Sequence, residues 1–180
     1  GHWTMDENQS TNIAINNAGN TSLNGTIYGN PQRVTGVKGG AFAFDGNDDR
    51  IVVANNSALE LGQYTVSLWI YPEKNNENFT GVFGRNGRNF AIWMGNSNHA
   101  TRPFVHHRFG EADNYNEGVD NFNLSVWNRW YHIACSNGGI GGVARTYVDG
   151  TFIENNQRYE RKVMGDLIRN QTAPLNIGVD

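Results

Sequence analysis

The sequence predicts an all-β fold, an antiparallel sandwich, and three observations carry that prediction. Short runs alternate apolar with polar or small residues at a spacing of two, the pattern of strands with one face on a core. Gly, Asn, Asp and Pro gather between these runs and supply the turns. No stretch makes a convincing helix, while aromatic residues reach 12% and glycines number 22, the balance of a strand-and-turn protein. With 180 residues the chain is long enough for one large domain with a sizeable core. No linker, composition shift or internal repeat divides it, so residues 1–180 read as one domain.

Taken in order, His2-Trp3-Thr4-Met5 reads as a short strand ended by Asp6-Glu7. Residues 8–25 read as a polar loop with one apolar pair, Ile13 and Ile15. Thr26-Ile27-Tyr28 is a second short strand, closed by Gly29-Asn30-Pro31. Val34 to Lys38 then leads through Gly39-Gly40 into Ala41-Phe42-Ala43-Phe44. Asp45-Gly46-Asn47-Asp48-Asp49 reads as a tight turn into Ile51-Val52-Val53, giving strand, turn, strand with Phe42 and Phe44 as core anchors. A turn needs Gly and Asn for left-handed backbone but has no need of three acids. That surplus makes the turn a candidate cation site.

Tyr64 to Pro72 is the clearest strand. Val66, Leu68 and Ile70 share one face and Ser67, Trp69 and Tyr71 the other. With both faces largely apolar, it reads as an interior strand covered on two sides, with Trp69 and Trp130 as core residues. Strands at 81–84 and 90–94 follow around an Arg85-Asn86-Gly87-Arg88 turn, then 102–109, then a long polar loop at 110–121. Tyr131 to Cys135 and Val143 to Val148 flank a glycine-rich turn, and Asp149-Gly150 signals a hairpin into Thr151-Phe152-Ile153. An irregular polar segment occupies 154–166, and Leu175 to Val179 is the last strand.

Four pieces in this order resemble a known family: His2-Trp3 with Asp6-Glu7; Gly40-Ala41 with Phe44-Asp45-Gly46 and Asp48-Asp49; TVSLWIYP at Thr65 to Pro72; and Trp130-x-His132-Ile133-Ala134 with Tyr147-Val148-Asp149-Gly150. The set, with Leu175-x-Ile177-Gly178, resembles the laminin G-like modules of the concanavalin A-like lectin and glucanase superfamily. The resemblance implies a jelly roll of two curved antiparallel sheets. It implies carbohydrate binding or adhesion in a secreted, cell-surface or virion protein, often with bound Ca2+. It also implies a closing acidic strand beyond Gly178. The sequence ends at Asp180, so the expectation is a sheet edge beside Trp3 to Met5 open to pairing with another chain or segment.

Charge excludes some functions. Formal net charge is −3 and only 17% of residues are charged, so no basic face forms for nucleic acid or an anionic membrane. No apolar run reaches the length of a membrane span. The single cysteine, Cys135, forbids an intramolecular disulfide framework and sits in an alternating apolar run, as a buried inert thiol would.

Three chemistries remain. Glycoside hydrolysis needs two carboxylates about 5 to 10 Å apart, and the strands as read carry no such pair, so the chain is not expected to be an enzyme; Phe104-Val105-His106-His107-Arg108 with Tyr115 matches no lyase motif. A Ca2+ ion takes six to eight hard oxygens from irregular loops, which makes Asp45, Asp48 and Asp49, with Asp6 and Glu7, the candidate ligands. His106 and His107 point to opposite strand faces and cannot share one metal. A sugar site pairs an aromatic platform with a few polar side chains, and Arg85, Arg88, Trp93, His106, Arg108 and Tyr115 lie on or beside adjacent strands. The reading is a non-catalytic recognition module for glycan or a protein surface. A structural assembly unit using an exposed edge strand, and a divergent polysaccharide-active enzyme, stand behind it.

Overall fold

The computed structural model describes residues 1–73, 79–85, 89–95, 103–112, 115–139, 141–153, 161–162 and 172–178, with backbone alone at 79, 89–90, 95, 104, 108–112, 115–122 and 161–162. The strands are β1 (Ile13–Ala14), β2 (Gly25–Tyr28), β3 (Gln32–Thr35), β4 (Gly40–Ala43), β5 (Arg50–Val53), β6 (Tyr64–Ile70), β7 (Phe79–Arg85) and β8 (Asn89–Gly95). They continue with β9 (Phe104–Ala112), β10 (Tyr115–Asn123), β11 (Tyr131–Asn137), β12 (Val143–Val148), β13 (Thr151–Phe152), β14 (Arg161–Lys162) and β15 (Leu175–Gly178). Among the described residues the only helical pieces are 3₁₀ turns at Thr21–Leu23 and Ser57–Leu59.

Two antiparallel sheets face each other. The larger runs β1-β2-β5-β15-β7-β8-β9-β10, the smaller β13-β12-β11-β6 with β14 beside β12, and β3-β4 form a separate ribbon. Ile70, Tyr131, Ile133 and Cys135 from the smaller sheet meet Ile92 and Val105 from the larger one to form the centre of the core. Burying each such side chain stabilises by about 1.5–3 kcal/mol. The expected sandwich of antiparallel sheets is therefore what the chain builds. The Asp149-Gly150 hairpin also forms, with both residues at positive φ (49° and 77°) joining β12 to β13.

Five expectations need correction. The 39–53 stretch is not a hairpin: β4 pairs with β3, whereas β5 pairs with β2 and β15, so the acidic turn carries the chain from ribbon to large sheet. Among the described residues His2 to Met5 forms no strand but an isolated bridge, Trp3 to Asn16, and Met5 sits at φ 60°. The 8–25 segment is not all loop: Ile13–Ala14 pair with β2 as β1, because Ala14 is buried against the Ile51–Ile177 cluster while Ile13 and Ile15 are exposed. The polar loop at 110–121 is largely strand: β10 pairs with β9 from Tyr115 opposite Ala112 to Asn123 opposite Phe104. Glu111, Glu117 and Asp120 thus lie on strands, which polar composition had concealed. Finally, β6 pairs only with β11 among the described strands, and its Trp69 face is open: Trp69 is 50% and Tyr71 42% exposed.

Candidate functional site

The acidic turn brings three predicted ligands together. Carboxylate oxygens of Asp45, Asp48 and Asp49 all lie within 4.8 Å of one another. Two of the three are already turn ties. Buried Asp49 accepts from the Asn30 amide (2.6 Å) and the Asp45 amide (3.1 Å). Gly29, at φ 73°, comes so close that a Cβ there would collide with Asp49. Asp45 accepts from the Asn47 amide (2.9 Å) and Asn47 Nδ2 (3.0 Å), and these bonds, the amide first, hold its carboxyl below the ordinary value. Asp48 is exposed and its carboxylate accepts no hydrogen bond among the described residues. The donor chemistry, hard oxygens on an irregular turn, fits Ca2+.

Asp6 and Glu7 do not join that group; they sit by the opposite end of β4. Asp6 Oδ1 accepts from the Gly40 amide (2.6 Å), and this bond is the first cause of a carboxyl lowered below its usual range. Glu7 Oε1 accepts from the Ile15 amide (2.7 Å), while its Oε2 is buried with no hydrogen-bond partner among the described residues. Both acids serve backbone amides that strand pairing leaves open.

Of the predicted sugar ligands, Trp93 and His106 come side by side, and Arg85 is taken up elsewhere. Arg88 lies outside the described residues, as do the side chains of Arg108 and Tyr115. Trp93 and His106 are cross-strand neighbours. Both point away from the core face on which Ile92 and Val105 lie; Trp93 is half-buried and His106 is 3% exposed. Arg85 is 2% exposed and not a surface contact. Its guanidinium donates to Ala173 O (Nη2, 2.7 Å; Nε, 3.0 Å), Leu59 O (3.1 Å) and Asn55 Oδ1 (2.5 Å), tying β7 to two loops.

A polar tether crosses the core. Tyr64 of β6 and His107 of β9 meet through Tyr64 Oη and His107 Nε2 at 2.9 Å, rings edge-on with centroids 5.8 Å apart. Burial depresses the His107 imidazole to about 3 and raises the Tyr64 phenol well above its ordinary value. Neither group is poised to exchange a proton near neutrality. Fully buried Cys135 is likewise pushed up to about 12 and is inert, as expected.

The outer face of the smaller sheet was read from sequence as core. Ser67, Trp69 and Tyr71 stand on it with His132 and Ala134 of β11 and Tyr147 of β12. Trp69 leans on His132 at 5.1 Å and 54°. His132 Nε2 and Ser67 Oγ are 2.7 Å apart, and the His132 amide donates to Asp149 Oδ1 at 2.9 Å. Tyr71 and Trp130 form an edge contact at 5.4 Å, and Tyr147 and Phe152 a tilted one, also at 5.4 Å.

A laminin G-type family model, described as the concanavalin A-like lectin/glucanases superfamily, matches residues 45–180. The chain belongs to that superfamily. Among solved structures, this superfamily member is similar to domain 4 of an extracellular GH43 arabinanase from Geobacillus stearothermophilus, in complex with arabinotriose. Identity is 21%, with TM-score 0.62, over 87% of this chain and 73% of that one. It is also similar to a structure described as a receptor binding domain, with 15% identity and TM-score 0.67, over 98% of this chain and 42% of that one. No curated protein matches. For this superfamily member the sequence signal that could have exposed the outer face was present: Trp69 and Tyr71 share a face with Ser67. Whether that face meets solvent depends on sheet order, which alternation does not encode.

Proposed function

We propose that this chain is a non-catalytic recognition module that binds carbohydrate, as part of a secreted, cell-surface or virion protein. The observation that carries it is the exposed aromatic surface of the smaller sheet. A well-packed fold gains by burying Trp and Tyr, so their exposure together beside neutral polar groups suits a ligand with both apolar faces and hydroxyl edges. The superfamily supports the reading, and the similarity to an arabinanase domain bound to arabinotriose is in keeping with it. Among the described residues no helix is long and apolar enough to cross a membrane. On a glycan array, followed by calorimetry with and without Ca2+, the chain is expected to retain at least one oligosaccharide and to leave it uncleaved. Absence of any glycan ligand contradicts the reading, and cleavage that is lost in Glu117→Gln replaces it with an enzyme.

Calcium belongs to this proposal at Asp45, Asp48 and Asp49, where a dication would relieve the repulsion of three close carboxylates. At about a hundred times its dissociation constant, Ca2+ adds about 2.7 kcal/mol of stability, or about 5–10 °C in midpoint for a chain of this size. Asp48→Asn is expected to remove most of that shift in a thermal melt. A wild-type midpoint unmoved by millimolar Ca2+ removes the ion from the account.

A second reading, assembly through an edge strand, is favoured by one observation: the nine-residue β10 is the outermost described strand of the larger sheet. Long unpaired edges template pairing with other chains. Concentration-dependent dimerisation with slowed amide exchange along 115–123 is the result that reading expects; a monomer with fast exchange there contradicts it.

A further inference from the structure

Resting on the carbohydrate reading, we infer that the saccharide site is the outer face of the smaller sheet, with Trp69 as its stacking platform and a neutral sugar as its ligand. The register sets the geometry. Trp69 lies opposite His132, and Ser67 opposite Ala134, which in turn lies opposite Tyr147. Ala134 and Ser67 are the shortest side chains of this group and form a low floor, with Trp69 and His132 on one side and Tyr147 on the other. Tyr71, two residues on and just past the end of β6, extends the aromatic surface by roughly 6.6 Å of extended chain.

The platform is held before any ligand arrives. The indole of Trp69 rests against the His132 imidazole. That ring is held by Ser67 Oγ at 2.7 Å, and the backbone beneath it by Asp149 Oδ1 at 2.9 Å. Asp149 is itself held by Arg129 at 2.6 Å. Fixed side chains lose little rotamer freedom on binding. Half of the indole remains open to solvent, and its Nε1–H makes no hydrogen bond within the protein among the described residues.

Charge selects the ligand class. Arg129 and Asp149 neutralise each other at the rim, and Arg145 stands one row away, opposite Ser136. Between them the face offers hydroxyls, an imidazole and an indole N–H. Among the described side chains of this face, phosphate or sulfate groups find no cluster of cations. A sugar ring matches the face: its C–H side stacks on the indole, and its edge hydroxyls meet Ser67, His132 and the Trp69 N–H.

The test uses wild type, Trp69→Ala, Trp69→Phe and Trp93→Ala, with arabinotriose and any neutral oligosaccharide retained on the array. Each is titrated by calorimetry, with circular dichroism and a thermal melt as folding controls. Trp69→Ala is expected to weaken binding at least tenfold, Trp69→Phe to restore most of it, and Trp93→Ala to leave it within about twofold, since tenfold corresponds to 1.4 kcal/mol. On the unmodified chain, the retained sugar is expected to slow oxidation of Trp69, read by mass spectrometry, which serves even if a variant folds poorly. If wild type binds a sugar while Trp69→Ala binds equally well and Trp69 is unprotected, the site assignment is overturned and the carbohydrate reading stands. If wild type binds no sugar, both fall. If Trp69→Ala abolishes binding to a protein partner and leaves sugar binding intact, the face is a protein-docking surface and the inference is wrong.

Discussion

Replacing Arg85 with Met is expected to lower stability by about 3–5 kcal/mol, the largest single-residue effect foreseen for this protein. The guanidinium is buried and donates to Ala173 O, Leu59 O and Asn55 Oδ1. Met fills much the same volume but donates nothing, so the buried Ala173 and Leu59 carbonyls lose a charged donor far from water. The two loops that this side chain ties to β7 then lose that shared anchor. For a chain of this size the thermal midpoint falls by about 6–20 °C. Arg85→Lys should recover little, because a single ammonium cannot reach acceptors spread around a planar fork. Arg129→Ala is the contrast: its ion pair with Asp149 is exposed (side-chain relative exposure 50% and 35%) and is worth under about 1 kcal/mol. Urea unfolding of the three variants measures this directly. An Arg85→Met chain within about 0.5 kcal/mol of wild type contradicts the structural role given to the residue.

Acid should weaken the fold well above the carboxylate range. His107 is fully buried and its imidazole is held at about 3, against an ordinary 6.5, because burial disfavours the charged ring. The sign follows from the unfolded chain. Below pH 6.5 the unfolded state takes up a proton that the folded state refuses, so stability is full above 6.5 and falls as pH drops toward 3. The loss runs at about 1.4 kcal/mol per pH unit, about 2 kcal/mol by pH 5. Tyr64, which meets the ring, and the neighbouring Asn137, Cys135 and Thr146 are neutral throughout this window, so nothing in the cluster offsets the cost. Asp6 and Asp45, whose carboxyls are lowered, weaken the fold in the same direction but only in the carboxylate range, below the ordinary 3.8. The difference in urea midpoint between pH 7 and pH 5 is therefore expected to shrink in His107→Gln, even though that variant starts out less stable. An unchanged difference contradicts the assignment.

Much of the fold was legible in the sequence, and particular residues explain where it was not. Alternation at Val66, Leu68 and Ile70, at Tyr131, Ile133 and Cys135, and at the Asp149-Gly150 turn fixed strands and hairpin, since those patterns are local. Pairing partners are not local. Ala41 to Phe44 and Ile51 to Val53 read as one hairpin because only a short turn separates them, yet β4 and β5 find partners in different sheets. The segment 110–121 read as loop because its polar residues gave no alternating apolar face on β10. The site was the least legible part. Arg85 looked like a ligand-facing cation in a turn, and only the surrounding carbonyls of Ala173 and Leu59 reveal its burial. Trp69 looked like core because an apolar strand face reads the same whether another layer covers it or solvent does.

Calorimetric titration of the wild-type chain with its best array oligosaccharide tests the central claim most directly. The account predicts saturable heat that fits a single site, then silence once that site is full. No heat at millimolar sugar, or a steady heat of turnover that continues after saturation, contradicts it.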